Sequence, residues 1–411
     1  MKRGELEGRL LVLVTLGLTA FGLVMVYSAT SAAAAVGGRD PSYFLKRQGI
    51  YAAIGICLLV VLSRGDYRRL RHSAPTLLVA SLVLLVAVLG IGQAVNGARR
   101  WLTFGPAAFQ PSELAKLALA VWASAHLARR APPRTMRELL RPIGAMAALS
   151  CLLVLAEPDL GTAIAIVIML AGILFVSGTP SRLLATAIGV ALTVGVLAIW
   201  IEPYRRARVF SFLNPWGDSQ GAGFQVVQAM IGLGSGGIFG VGLGQGVQKI
   251  FYLPEAHTDM IFAVIGEELG LVGAAAVMAA YATFAYAGLR IAVRCKDPFG
   301  KRLAAGLTVL VCAQAAINLA AVMSLAPLTG VPLPFVSYGG SSLVIGLASV
   351  GVLLNIANGH GVAAEAQVPD RSRRDGRTRA ARARSSGSAA AAERARDVRR
   401  VAGSRRSAAR P

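Results

Sequence analysis

The chain has 411 residues, of which 55% are hydrophobic and 15% charged, with a formal net charge of +22. Soluble proteins carry about a quarter charged residues, so a mean hydropathy of +0.60 excludes an ordinary water-soluble enzyme and points into the membrane. Four cysteines (Cys57, Cys151, Cys295, Cys312) show neither paired nor metal-ligand spacing and read as small membrane hydrophobes.

Apolar blocks of roughly 17–25 residues, the length that crosses a hydrocarbon core, recur along the chain. They fall near 10–29, 45–62, 75–92, 113–128, 142–156, 160–177, 183–201, 260–289, 303–325 and 339–357. The expected fold is an all-α polytopic membrane protein of about ten transmembrane helices. It divides into a cytoplasmic N-terminus (1–9), a membrane domain (10–358) with one long extracytoplasmic loop between helices seven and eight (202–259), and a basic tail (359–411). The first block resembles a signal peptide in its flanks, but its apolar core of about twenty residues exceeds the usual h-region, so an uncleaved anchor is expected. The fifth and sixth blocks form one stretch broken by Glu157-Pro158-Asp159, read as a tight turn at the membrane face.

Short basic loops set the orientation. Lys2, Arg3 and Arg9, the 64–72 loop, the 129–141 loop and the 290–302 loop all fall on one side of a ten-span arrangement, which makes it cytoplasmic and puts both termini inside. Arg99, Arg100, Arg205, Arg206 and Arg208 run against this bias on the outside. An anionic ligand and pairing with anionic headgroups both account for them. Residues 361–411 hold fourteen Arg and five acids among Ala, Ser and Gly, too little apolar surface to order. Without aromatic interleaving, nucleic acid is not expected as a partner; the anionic inner leaflet suits this tail better, and protein docking stays open.

Ionisable residues inside spans are costly and mark functional candidates. In Gln110-Pro111-Ser112-Glu113-Leu114-Ala115-Lys116, Pro111 suits a first helical turn, and Glu113 and Lys116 become i,i+3 neighbours able to pair. Such a pair serves either helix packing or a ligand. Glu157 and Asp159 flank a proline before Gly161-Thr162, where capping competes with ligand contact. Glu267 and Glu268 lie roughly 12–13 Å below Asp259 if a helix starts there, at about 1.5 Å per residue. A scaffolding role suits the deep pair and a reactive role suits Asp259 at the mouth.

The 202–259 loop is too long for a plain connector. It opens with Tyr204-Arg205-Arg206-Ala207-Arg208 and passes through an amphipathic Phe212-Leu213-Asn214-Pro215-Trp216. A glycine-rich run from Gly232 to Gly246 follows, with no Gly-Lys-Ser/Thr, so a nucleotide loop is not indicated. It suits close backbone packing or a gate. The loop closes with Tyr252-Leu253-Pro254-Glu255-Ala256-His257-Thr258-Asp259. Together these suggest recognition of an anionic headgroup, with cations on phosphates and a carboxylate taking a proton from a hydroxyl. His257 is a candidate acid/base or ligand, or a hydrogen-bonding partner.

Asn96 to Trp101, Gln110 to Glu113, Glu157 to Thr162, Tyr252 to Asp259, Ile265 to Leu271 and Pro332 to Ser342 resemble, in order, the motifs of the SEDS family of cell-wall proteins (FtsW, RodA, SpoVE). The match runs from about residue 10 to 358 and omits the tail. The resemblance implies a peptidoglycan glycosyltransferase that joins lipid II into glycan strands outside the membrane, expelling undecaprenyl pyrophosphate, an inverting hexosyl transfer. It implies a class B penicillin-binding protein and other division proteins as partners, with the undecaprenyl-linked strand as donor. Carried over by motif, Asp259 is the general base. Trp101, Glu113, Lys116, Arg205, Arg208, Glu157, Asp159 and His257 are the substrate-binding candidates, and Glu267, Glu268, Ser337 and Tyr338 line or support the cavity. A divalent cation, Mg2+ or Mn2+, would share the pyrophosphate charge, though no ligand cluster in the sequence specifies one. The Tyr252–Asp259 and Ile265–Glu268 segments are closer to the division branch (FtsW) than to the elongation branch; Met260 and Ala326–Gly330 depart mildly from the pattern. A septal, multi-pass location in the bacterial inner membrane follows. Two rival readings are a lipid II flippase and a non-catalytic scaffold. The first is opposed by charges gathered near one face and by the lack of an internal repeat; the second predicts that Asp259 is dispensable.

Overall fold

Most of the apolar blocks become helices whose ends are set by local capping chemistry. The structure is a computed structural model that describes residues 5–37, 40–95, 98–105, 107–221, 223–250 and 253–359. Helices α1 (Glu5–Val36), α2 (Tyr43–Arg64) and α3 (Arg68–Ile91) come first, then strands β1 (Gln93–Val95), β2 (Ala98–Phe104) and β3 (Ala107–Phe109). Next are α4 (Pro111–Ala128) and α5 (Met136–Leu139), which passes through a π-helical turn (Leu140–Gly144) into α6 (Ala145–Ala156). The chain goes on through α7 (Leu160–Val176), α8 (Ser181–Ile201), α9 (Pro203–Leu213), a 3-10 turn (Pro215–Asp218) and α10 (Phe224–Ser235). It ends in α11 (Ile261–Arg294), α12 (Pro298–Val322) and α13 (Gly340–Asn358). The basic tail beyond Gly359 lies outside the described residues, as do Lys2, Arg3, Asn96, Gly97 and Tyr252.

Prolines at the first helical position start α4, α9 and α12, where the missing N–H has no helical partner to lose. Asp297 caps α12 by accepting from the Gly300 N–H, and Asp159 caps α7 by accepting from the Thr162 N–H. The turn expected at Glu157-Pro158-Asp159 is therefore present, between α6 and α7.

Eight of the described helical stretches are long and apolar enough to cross a membrane, which makes the chain a helical polytopic membrane protein. They are α1, α2, α3, α5 with α6, α8, α11, α12 and α13. At the fourth and sixth expected blocks stand α4, which carries Glu113 and Lys116, and α7, of 17 residues; both fall short of those limits of polarity or length. Burial separates centre from periphery. About 78% of the apolar window of α13 is buried inside the protein against 6% of that of α8, so α13 is core and α8 presents Leu192, Val194 and Trp200 outward. Helix α13 packs on α2, α11 on α1 and α12, and α12 also on α7. With little hydrophobic drive inside lipid, small residues govern how closely such helices approach: a Cβ on Gly351 would sit 2.6 Å from the Leu59 carbonyl oxygen of α2. At the same end of the bundle, where Gly8 faces Leu354 of α13, Glu7 pairs with Arg290 and Arg294, tying α1 to α11.

Three expectations are modified. The 93–112 connection, expected as an outer loop of an all-α protein, holds an antiparallel sheet ordered β1-β2-β3, with Gln93 opposite Trp101 and Leu102 opposite Phe109. Thr103, Phe104 and Trp101 suit a strand, but strands this short leave no trace in a search for spans. Segment 202–259 contains two helices, because Phe224–Ser235 is itself apolar. The eighth expected helix starts at Ile261 rather than Asp259 and is kinked at Gly270, whose φ is +65°. There the glycine-rich run packs as a second backbone against α11: Val241 and Gly242 donate N–H to the carbonyls of Glu267 and Glu268, and Leu271 and Val272 donate to Gly237 and Ile238. A Cβ on Gly270 would meet Ile238 O at 2.5 Å. Of the two readings of the glycines, close packing is the one observed.

Candidate active site

Asp259 sits in the turn that leads into α11. Asn318 of α12 fixes that turn by donating from Nδ2 to the carbonyls of Asp259 (2.7 Å) and Val331 (2.8 Å). The Asp259 carboxylate contacts the Thr258 hydroxyl at 3.3 Å, and its Oδ2 lies 3.9 Å from where a Cβ on Gly330 would stand. Burial lifts its pKa to about 6; the charge of Arg208 opposes that rise and Glu255 adds to it. A carboxylate with such a value is a base at neutral pH that binds a proton far better than an exposed aspartate.

Arg208, on α9, donates to the Leu328 carbonyl at 3.1 Å. One turn earlier, Arg205 donates to Leu155 O (2.7 Å) and Ala198 O (3.1 Å), carbonyls near the ends of α6 and α8. Arg100, on β2, donates from Nε to Glu157 O at 2.7 Å and also bonds Pro158 O. Two arginines remote in sequence thus hold the α6–α7 turn. Glu157 in that turn is fully buried, and neither carboxylate oxygen has a hydrogen-bond partner among the described residues. Burial pushes its pKa up to about 8, Asp159 adds to the rise, and Arg100 opposes it. Asp159 spends both oxygens on Thr162, one on the N–H at 2.9 Å and one on the hydroxyl at 2.8 Å.

A groove of about 690 Å³ runs between α7 and α12. Leu160, Ile164 and Ile168 form one wall and Val309 and Ile317 the other, while Arg205, Arg208 and Leu328 lie along its lining too. It is an apolar trough supplied with two cations, and the second of them is the one whose charge acts on Asp259.

The remaining candidates fall into separate groups. Lys116 donates to Glu113 at 2.7 Å in a pair that is almost wholly buried in the first turns of α4; neither residue is hydrogen-bonded to Asp259. Trp101 is half-buried on β2, beside Arg100 in sequence and therefore on the opposite face. His257 packs its ring against Phe44 (4.7 Å between centroids) and Tyr338 (5.4 Å), and burial lowers its pKa, favouring the neutral ring. Its carbonyl accepts the Tyr338 N–H at 2.9 Å. Ser337 accepts the Leu333 N–H at 2.8 Å and offers its carbonyl to Gln48 of α2. These three residues fasten the turns before α11 and α13 to α2.

Glu267 and Glu268 are saturated. Glu267 accepts the Val247 N–H at 2.7 Å and the Gln248 N–H at 3.2 Å. Glu268 accepts from Lys249 at 2.5 Å and from Ser28 of α1 at 2.7 Å, with Lys249 also donating to Ser28. Sequence reasoning missed Arg100's contacts, Lys249, Ser28, Asn318 and Gln48. Lys249 alone left a signal, as a cation just after an uncharged glycine-rich run. Among the described residues no three His, Cys, Asp or Glu side chains form a metal site; a Mg2+ held by one carboxylate and the substrate's own phosphates needs no such cage.

A kinked core helix, a half-buried carboxylate at a helix entrance and a cation-lined apolar groove define a membrane protein built to act on an amphiphile. The chain belongs to the cell cycle protein family of FtsW, RodA and SpoVE, whose profile matches residues 8–360. It is 41% identical over 360 residues to a Geobacter metallireducens protein named probable peptidoglycan glycosyltransferase FtsW, covering 87% of this chain and 96% of that one. It is 39% identical over 353 residues to stage V sporulation protein E of Bacillus subtilis, covering 85% and 96%. Among solved structures, a chain of a peptidoglycan synthase complex superposes with a TM-score of 0.71 at 32% identity, covering 86% of this chain and 98% of that one. The rod shape determining protein RodA of Thermus thermophilus gives 0.64 at 29%, covering 85% and 96%.

Proposed function

We propose that this chain is a peptidoglycan glycosyltransferase of the FtsW type, polymerising lipid II in septal wall synthesis. The observation that carries the reading is Asp259, a half-buried carboxylate with a pKa of about 6, under the charge of an arginine that lines an apolar groove. Ten helices cross the membrane, α4 and α7 among them, both termini are cytoplasmic, and the 202–259 segment lies outside. The undecaprenyl chain of the donor occupies the α7–α12 groove, and its diphosphate lies toward Arg205 and Arg208, where two guanidinium groups stabilise the charge that grows on departure. Asp259 takes the proton of the acceptor's 4-hydroxyl. The freed oxygen forms a bond to the donor's anomeric carbon as the bond from that carbon to the diphosphate breaks, with inversion. The electron pair leaves on undecaprenyl pyrophosphate, and the proton leaves Asp259 to solvent. Glu113, Lys116, Glu157, Asp159, Trp101 and His257 shape and support the cavity. A divalent cation bound to the diphosphate would add charge neutralisation there. A class B penicillin-binding protein cross-links the strands, and other division proteins complete the assembly.

The test is polymerisation of labelled lipid II by the full chain with its penicillin-binding partner, wild type against Asp259→Ala. Glycan strands from wild type alone are expected. Equal polymer from both would remove Asp259 as base. Transfer of lipid II across liposomes without polymer would replace the enzyme by a flippase.

A further inference from the structure

A second cavity, of about 190 Å³, lies where the start of α3 meets the end of α4. It belongs to the end of the bundle at which the basic 64–72 and 129–141 loops gather. Arg71, His126, Arg129 and Arg130 line it together with Trp122. The Trp122 indole stacks on the His126 ring, 5.4 Å between centroids and 24° between planes, making one flat wall. The floor is Ala74 and Ala125, both buried; their small side chains are what leave the space. The Nε of Arg71 is buried and has no hydrogen-bond partner among the described residues, and none of the three arginines takes part in an ion pair with a described carboxylate. A buried N–H is normally satisfied by something, and three guanidinium groups around a recess of this size call for an anion.

We propose that this recess binds the phosphodiester headgroup of an anionic phospholipid of the cytoplasmic leaflet. Guanidinium groups pair with phosphate oxygens through two parallel N–H donors, and basic pockets between membrane helices on the cytoplasmic side suit such headgroups. The lipid source is favoured over a soluble phosphate by the surroundings. Trp122 is the type of residue that settles at the membrane interface, and the continuing outer face of α3 is apolar and exposed at Val79, Val83 and Val86, a track for acyl chains. The assignment rests on the orientation given above and is independent of the catalytic reading.

Native mass spectrometry of the full chain in detergent, titrated with phosphatidylglycerol or phosphatidylcholine, tests it. Wild type is expected to retain phosphatidylglycerol in preference to phosphatidylcholine. Arg71→Gln/Arg130→Gln is expected to weaken that retention about tenfold, and so is Ala125→Leu, which fills the recess with every arginine in place. Arg134→Gln/Arg137→Gln removes two exposed charges of the neighbouring loop, outside the recess, and is expected to bind as wild type does. The proposal is overturned if either recess variant keeps wild-type binding, if the control variant loses as much, or if phosphatidylcholine binds equally. Displacement of the lipid by millimolar inorganic phosphate would assign the recess to a soluble anion and overturn the lipid assignment. Since Ala125→Leu and the double arginine variant perturb folding in different ways, a melting curve for each separates lost binding from lost structure.

Discussion

The acids at the start of α11 and Glu157 are buried, Asp259 is half-buried, and the two groups are treated in opposite ways. Glu267 and Glu268 have every need met, by two backbone N–H groups, a lysine and a serine. Asp259 has a long hydroxyl contact, its own backbone N–H and the distant charge of Arg208, and the Glu157 carboxylate has no hydrogen-bond partner among the described residues. Burial with full pairing makes a brace, because the ions are fixed and compensated. Burial without it leaves a carboxyl that would rather hold a proton, and therefore one that can exchange it.

That contrast can be broken by substitution. The largest effect is expected for Asp259→Ala, which should lower the polymerisation rate by about 10²–10⁴-fold, the usual contribution of a general base, with little change in melting temperature. Lys249→Met should do the reverse: it strands a buried glutamate, costs about 3–5 kcal/mol of stability, and affects activity only through the loss of folded protein. A thermal melt read beside lipid II turnover separates the two. If Lys249→Met melts like wild type, the brace reading of Glu268 fails.

Two pH experiments sharpen the comparison. Asp259 must be ionised to accept a proton, so polymerisation should be flat above about pH 7 and fall roughly tenfold per unit below its pKa of about 6. A profile unchanged down to pH 5 would contradict the assignment. Glu157 acts on stability instead. Its folded pKa of about 8 lies above the ordinary 4.5, so between these values the folded state holds a proton that the unfolded state has released. Stability should therefore decline as pH rises from about 4.5 to 8 and level off beyond. Glu157→Gln should flatten this decline, most visibly above pH 6, where Asp259 no longer contributes. The smallest effect is expected for Thr258→Val, which removes one long contact to Asp259. It should change the rate only a few-fold, on the order of 1 kcal/mol for one hydrogen bond, and move the acid limb slightly upward.

Much of this was legible in the chain itself. Helix periodicity put Glu113 beside Lys116, and the structure has them paired; Pro111 and Asp159 announced the starts of α4 and α7; the Glu157-Pro158-Asp159 break separated α6 from α7. Each of these depends on residues within four positions of one another, so backbone geometry alone decides it. The hydrophobic blocks were equally plain, since a bilayer demands apolar length. Tertiary packing decided everything that joins distant residues. Ser28 meets Glu268 across 240 positions and Arg100 meets Glu157 across 57, pairings that exist only once α1 lies on α11 and the β2 strand folds over the α6–α7 turn. Arg205 and Arg208 were visible as a cluster, but the groove they line belongs to α7 and α12, and no local pattern records which two helices will stand apart. The sequence singled out Glu113, Glu157, Asp159, Asp259, Glu267 and Glu268 as carboxylates set at or inside the membrane, though not Glu7, which is buried as well. Which of them would find partners, and so which would be a brace and which a base, was settled by the way the helices pack.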